Sequence, residues 1–298
     1  ANYSYQQRKQ LYRYRNNSFE YSRSQGVTQT FTSGSIFNNY EEDESFPVTH
    51  MLNYYATFEH SWAKKHNLKI VAGSQYETYR NVNKNTSMTN LSNDNLDSFS
   101  AVTPESVLTV SQDISAYKTL GFFGRINYDY MGKYLLEVSC RADGSSRFAP
   151  KYRWGKFPSV AAAWIVSEED FLRESNIFTF LKLRGGWGKT GNAYVGEYGW
   201  RTLYENADYE NQPATRPSQI GNDRLKWEAT EQVDLALDFG FLPNQRISGT
   251  LGFYKKKTDG LLYAYTMALS TGLETTQINF ANIENKGIEF EIKANIID

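Results

Sequence analysis

Three groups of residues have types and spacings that invite chemistry. The run Gly185-Gly186-Trp187-Gly188-Lys189-Thr190 ends in the Gly-Lys-Thr of a phosphate loop. That loop requires G-x-x-x-x-G-K-T, and Leu183 occupies its first position, so the glycines read instead as a strand end where another backbone packs closely. Asp143-Gly144-Ser145-Ser146 sets a carboxylate beside two hydroxyls. Without a neighbouring histidine or alternating carboxylates it fits neither a nucleophile nor a calcium loop, and it reads as a turn at the outer end of a strand, with Arg147 free to pair with a neighbour. His50, His60 and His66 are scattered and Cys140 is alone, which leaves out a disulfide framework and any cysteine-rich metal centre. No catalytic group is expected, and no metal or cofactor.

What remains is binding chemistry. The 22 Tyr, 18 Phe and 6 Trp make up 15% of the chain, and rings with a polar tip suit membrane interfaces and sugar faces alike. Tyr194, Tyr198, Trp200, Tyr204 and Tyr209 cluster in one segment and are the candidate substrate-stacking residues. The net charge of −1 gives no field that would draw nucleic acid.

These residues must be positioned by strands, because nearly every regular segment alternates with period two. Val233, Leu235, Leu237, Phe239 and Phe241 point one way, and Gln232, Asp234, Ala236, Asp238 and Gly240 the other. Ile288, Phe290, Ile292, Ala294 and Ile296 oppose Glu289, Glu291, Lys293 and Asn295. Leu136, Val138, Cys140 and Ala142 oppose Glu137, Ser139, Arg141 and Asp143, while Phe122, Gly124, Ile126 and Tyr128 oppose Arg125 and Asn127. Strands are expected near 1–14, 48–61, 67–80, 117–130, 133–146, 156–166, 179–190, 226–241, 246–257 and 285–297.

Segments of about ten to fourteen residues exceed the five or six usual in globular sheets and match the roughly nine to eleven that cross a bilayer at a tilt. A mean hydropathy of −0.61 does not oppose this, since a barrel strand shows lipid only at alternate residues. Every second link is short (62–66, 131–132, 242–245, and 167–178 with one helical turn capped by Ser167). The others are long (15–47, 81–116, 191–225, 258–284, with a shorter one at 144–155). Tight periplasmic turns alternating with long extracellular loops are the plan of an outer-membrane barrel. Trp62, Tyr128, Tyr130, Tyr134, Phe178, Phe180, Phe239 and Phe241 then form a periplasmic girdle. Arg125, Glu137, Arg141, Asp234, Asp238, Glu289, Glu291 and Lys293 face the lumen, where mixed charges form interstrand pairs.

The chain also resembles a known family. Gly124-Arg125-Ile126-Asn127-Tyr128, Lys133-Tyr134-Leu135-Leu136-Glu137 and Arg141-Ala142-Asp143-Gly144-Ser145-Ser146-Arg147-Phe148 look like the barrel signature of SusC/RagA-type TonB-dependent outer-membrane transporters. Arg153-Trp154-Gly155-Lys156-Phe157-Pro158, Gly188-Lys189-Thr190-Gly191-Asn192, Leu225-Lys226-Trp227-Glu228 and Asn285-Lys286-Gly287-Ile288-Glu289 continue the likeness. It is dense over about 117–297 and a matter of pattern before that.

The resemblance implies an all-β, antiparallel transmembrane barrel in the bacterial outer membrane, with residues 1–298 supplying about ten of roughly 22 strands. The signal peptide, carboxypeptidase-like domain and plug are expected to lie outside these residues. It further implies an importer of oligosaccharides or oligopeptides that works with a SusD-like surface lipoprotein and with TonB, the latter through the missing N-terminal part. A passive porin or structural barrel, and a secreted soluble glycan-binding module, are the competing expectations.

Overall fold

A computed structural model describes residues 1–16, 19–24, 27–31, 39–93, 96–173, 175 and 177–295. The expected placements of Ile296 and of parts of the 15–47, 81–116 and 167–178 links therefore lie outside the described residues. Among the described residues the strands are β1 (Asn2–Gln7), β2 (Gln10–Asn16), β3 (Phe19–Ser24), β4 (Val27–Phe31), β5 (Asn39–Ser45), β6 (Val48–Trp62), β7 (His66–Thr89) and β8 (Val107–Tyr130). They continue with β9 (Tyr134–Ser145), β10 (Trp154–Ile165), β11 (Phe178–Asn192), β12 (Leu203–Tyr209), β13 (Gln212–Gln219), β14 (Glu228–Phe241), β15 (Ile247–Thr266) and β16 (Thr275–Ala294). No described helix is long and apolar enough to cross a membrane.

Ten strands form one path of neighbours, β1-β6-β7-β8-β9-β10-β11-β14-β15-β16, with β2 and β5 attached beside β7. This agrees with the ten expected wall strands, but several run further than expected. β7 and β8 each have 24 residues, and β15 and β16 have 20 each. The expected 258–284 loop is largely a continuation of the β15–β16 ladder, which pairs Thr266 with Thr275. Asn81, Asn83 and Asn85 hid the extension of β7, and a register shift between Thr258 and Leu262 followed by the unbroken run Leu261 to Tyr265 hid that of β15. The expected 1–14 strand is two: a break at Arg8 and Lys9 lets β1 pair with β6 and β2 with β5.

Compact packing divides the chain into one unit of Ala1–Asn2, Leu52–Tyr76 and Lys118–Asp298 and a second of Tyr3–Met51 and Glu77–Tyr117. In the first, the register sets alternate residues side by side across the strands. Gly186 opposes Asp234, which opposes Tyr254, while Gly185 opposes Leu235, which opposes Phe253. Gly185 and Gly186 thus sit inside β11, not at a strand end. A Cβ on Gly185 would stand 2.9 Å from the Leu235 Cδ2, so that side chain would have to shift to admit one. The second unit has its own small core of Tyr40, Met88, Leu91 and Ala101, with Phe99 packed on Tyr40 at 4.9 Å between ring centres.

Two further expectations change. The turn after β10 is a short 3-10 segment, Val166–Glu168, whose capping position is Ile165, so Ser167 lies inside the turn and not at its cap. A bulge between Phe178 and Phe180 sets Phe178 opposite Phe241 but Phe180 opposite Gly240. The extra residue, Thr179, donates its hydroxyl to the carbonyls of Gly240 and Leu242, both at 3.1 Å. The bulge thus carries Phe178 to the apolar face beside Phe241, while Phe180 keeps step with Lys182 and Arg184, stands on the polar face and leaves the girdle.

Candidate functional site

In the first unit one face of the strands is apolar and exposed, and the other is polar. Leu235 is 55% and Phe290 64% exposed, and Val138, Leu183, Leu251, Phe253, Ile288 and Ile292 stand exposed with them. So large a contiguous apolar surface is stable only against lipid or a partner. At the short-turn ends it finishes in rings: Trp62 with Tyr128 (6.4 Å), Tyr130 with Tyr134 (6.2 Å), Tyr134 with Trp164 (6.3 Å) and Phe178 with Phe241 (5.0 Å). Cys140 belongs to this face and is a free thiol.

One short turn is fastened by a carboxylate. Glu169 accepts from the Tyr134 hydroxyl (2.6 Å), Lys133 Nζ (3.0 Å) and the Trp164 indole (3.1 Å). These bonds, the Tyr134 hydroxyl foremost, hold its carboxyl down to about 2.

The polar face carries every expected lumen charge, brought into register by the ladders. Arg125 lies 3.7 Å from Glu137, which also accepts from Asn127 at 2.7 Å. Arg141 grips Asp143 at 2.7 and 2.9 Å and reaches Gln75 at 3.0 Å. Asp238 takes Arg184 at 2.9 Å and Thr250 at 2.8 Å, and Asp234 takes the Gln232 amide at 2.9 Å. Glu289, Glu291 and Lys293 oppose Gly252, Thr250 and Ser248. Arg184 stands on this polar face as well, as its alternation with Leu183 signals. A cavity of about 740 Å³ lies over this face, floored by Ala161, Ala163 and Gly186 and flanked by Glu137, Asn127, Arg184 and Asp234. Such a surface can bind and orient polar matter. Among the described residues no three His, Cys, Asp or Glu side chains converge as a metal would need.

The expected ring cluster is split. Phe148 and Leu225 are fully buried with Val195, backed by Trp227 and Leu262, so the 191–225 segment has its own anchor. Trp200 joins this anchor by donating its indole N–H to the Ser146 carbonyl at 3.2 Å, and Arg147 adds an ion pair to Glu197 at 3.2 Å. Tyr194, at 83% exposure, Tyr204 and Tyr209 are open, and Tyr198 is at the edge of exposure. Tyr204 and Tyr209 ride on the β12–β13 hairpin, which the sequence had read as plain loop.

Comparison with known proteins accounts for this two-faced wall. The family model for the TonB dependent receptor-like β-barrel matches residues 1–296. The TonB-dependent receptor SusC of Bacteroides thetaiotaomicron is 41% identical over 195 residues, covering 60% of this chain and 19% of SusC. A TonB-dependent receptor of Formosa agariphila is 31% identical over 250 residues, covering 84% of this chain and 24% of that receptor. A solved structure of the RagAB peptide transporter superposes with a TM-score of 0.80 at 27% identity, over 87% of this chain and 29% of that one. The chain thus spans about a fifth to a quarter of the length of these curated relatives. It belongs to the TonB-dependent receptor β-barrel family of the bacterial outer membrane.

Proposed function

We propose that the chain is part of the wall of an energised outer-membrane importer that takes up oligosaccharides or oligopeptides too large for porins. The observation that supports this best is the pairing of a lipid-facing apolar surface with an inner face of fixed charges over a cavity, in a chain whose relatives are TonB-dependent receptors. In this reading the inner charges hold a plug supplied by other residues of the receptor, TonB acts on that plug from the periplasm, and a SusD-like lipoprotein closes over the outer loops. No reaction is catalysed: the wall binds, orients and releases.

Tyr194, Tyr198, Tyr204 and Tyr209 are the proposed substrate contacts of the 191–225 segment, and Trp200 is proposed to hold that segment in place. A strain lacking the receptor is expected to lose growth on one class of oligomeric nutrient and to keep growth on its monomers. Normal growth on every oligomer would overturn the reading. In the restored strain, replacing Tyr194, Tyr204 and Tyr209 together by Ala is expected to lower uptake several-fold without lowering the amount of receptor in the membrane.

A further inference from the structure

On the lipid-facing side of the first unit, the apolar band of β11, β14, β15 and β16 ends at one tier. There the ladders set Trp187 beside Val233, Val233 beside Lys255, and Lys255 beside Lys286. The tier below is Gly185, Leu235, Phe253 and Ile288, whose large side chains are exposed. The tier above is Lys189, Glu231, Lys257 and Glu284. On this side of the four strands the cations are matched with one exception. Lys189 lies 3.6 Å from Glu231, which also accepts from the Trp187 indole at 2.7 Å, and Lys257 lies 2.9 Å from Asp259. Lys255 lies 3.2 Å from Glu284, but Lys286, directly across the ladder from it, is in no ion pair among the described residues.

The height of this tier follows from the strand. Along β14, Val233 lies eight residues from Phe241 in the ring tier at the short turn. At about 3.4 Å per residue and a tilt of about 40° that is about 20 Å along the membrane normal, in a band about 25 Å tall. Lysine stems reach a few ångström further, so both ammonium groups come out at the headgroup level on the long-loop side, the level that an interfacial ring such as Trp187 marks. Like charges directly opposite one another weaken a ladder, and the one carboxylate of Glu284 leaves a positive charge over for the pair. The ground immediately beneath is apolar, in Leu235, Phe253 and Ile288. The anion that fits both features carries its charge beside hydrocarbon. A phosphate-bearing lipid has that form, with its phosphate between the two ammonium groups and its chains along the tier beneath. A free anion gains nothing from that tier.

We propose that Lys255 and Lys286 form a binding site for the phosphate of an outer-leaflet lipid, with Leu235, Phe253 and Ile288 as the seat of its chains. The inference rests on the two-faced wall and its family, and is independent of the cargo.

The test is native mass spectrometry of the full receptor, released from detergent with phosphorylated lipid A, dephosphorylated lipid A or inorganic phosphate at equal concentration. An adduct with the phosphorylated lipid is expected. At about a factor of five for each basic residue near a charged membrane surface, Lys286→Ala should weaken it about fivefold, and Lys255→Ala with Lys286→Ala about thirtyfold. Lys255→Arg with Lys286→Arg should bind as the native receptor does. Lys256→Ala, which removes the same charge from the inner face of β15, should leave the adduct unchanged. Lys255 and Lys286 are exposed, so these variants are expected to keep the heat-modifiable migration of the folded barrel. Equal retention of the dephosphorylated lipid, a full-strength adduct in the double Ala variant, equal loss in Lys256→Ala, or inorganic phosphate held as tightly as the lipid would each overturn the proposal. None of these outcomes touches the importer reading, which falls only if the deletion strain grows normally on all oligomers.

Discussion

Along β14, Val233 and Leu235 extend from one side of the backbone with 38% and 55% of their surface uncovered, while Asp234 and Asp238 extend from the other and are each held by a named partner. In a soluble sheet the apolar side would be the more tightly packed. Here the relation is inverted, since the polar side is specified by pairs and the apolar side by its solvent. The inversion teaches that the two faces are stabilised by different terms. Alternate residues of one strand should therefore respond differently to the same substitution.

The sharpest way to break the comparison is to put a cation on the apolar side. Leu235→Arg is expected to cost about 2–4 kcal/mol, the range for a basic residue on the lipid face of a barrel near the bilayer midplane. Asp234→Arg, one residue away, is expected to cost only a small fraction of this. Urea unfolding of the full receptor in lipid vesicles measures both, and equal costs would mean that the faces are assigned wrongly. The specific pairs of the inner face should show a smaller effect. A double-mutant cycle on Arg184→Ala and Asp238→Ala is expected to give a coupling of about 0.5–1 kcal/mol, because Arg184 remains nearly half exposed and solvent weakens the attraction.

The sequence made this sidedness legible wherever lipid imposed it. In Gln232 to Phe241 the alternation alone placed each residue on the face where the structure has it. The alternation failed where other forces set the geometry. The Thr179 bulge carries Phe178 to the face opposite Phe180, Lys182 and Arg184, and it is held by two hydroxyl bonds to Gly240 and Leu242, partners some sixty residues away that no local pattern encodes. In the outer extension of β7 only Val82 and Met88 interrupt a polar run, and in that of β15 a register shift precedes the unbroken run Leu261 to Tyr265, so period two carries no information there.

The candidate rings fared in the same way. Composition identified Tyr194 to Tyr209 as a cluster, but separating the anchored Trp200 from the open Tyr194 required Ser146, which is remote in sequence.

The smallest expected effect probes the rim where the two faces meet. Glu169 sits in the turn outside the spanning strands, and its carboxyl is held at about 2 in place of the usual value near 4.5, chiefly by the Tyr134 hydroxyl, then by Lys133 and Trp164. A depressed carboxylate contributes stability that is fully present above the unfolded value and is lost as the pH falls toward the folded one. The turn should thus hold unchanged from neutral pH to about 4.5 and loosen between about 4.5 and 2. Glu169→Gln, which keeps the shape but cannot ionise, should remove that acid-dependent step and leave the inner-face pairs untouched. Unfolding midpoints of native and variant receptor across this window test it. If the two curves fall in parallel as acid is added, the three bonds to Glu169 do not fasten the turn, and the ring girdle alone must hold the rim.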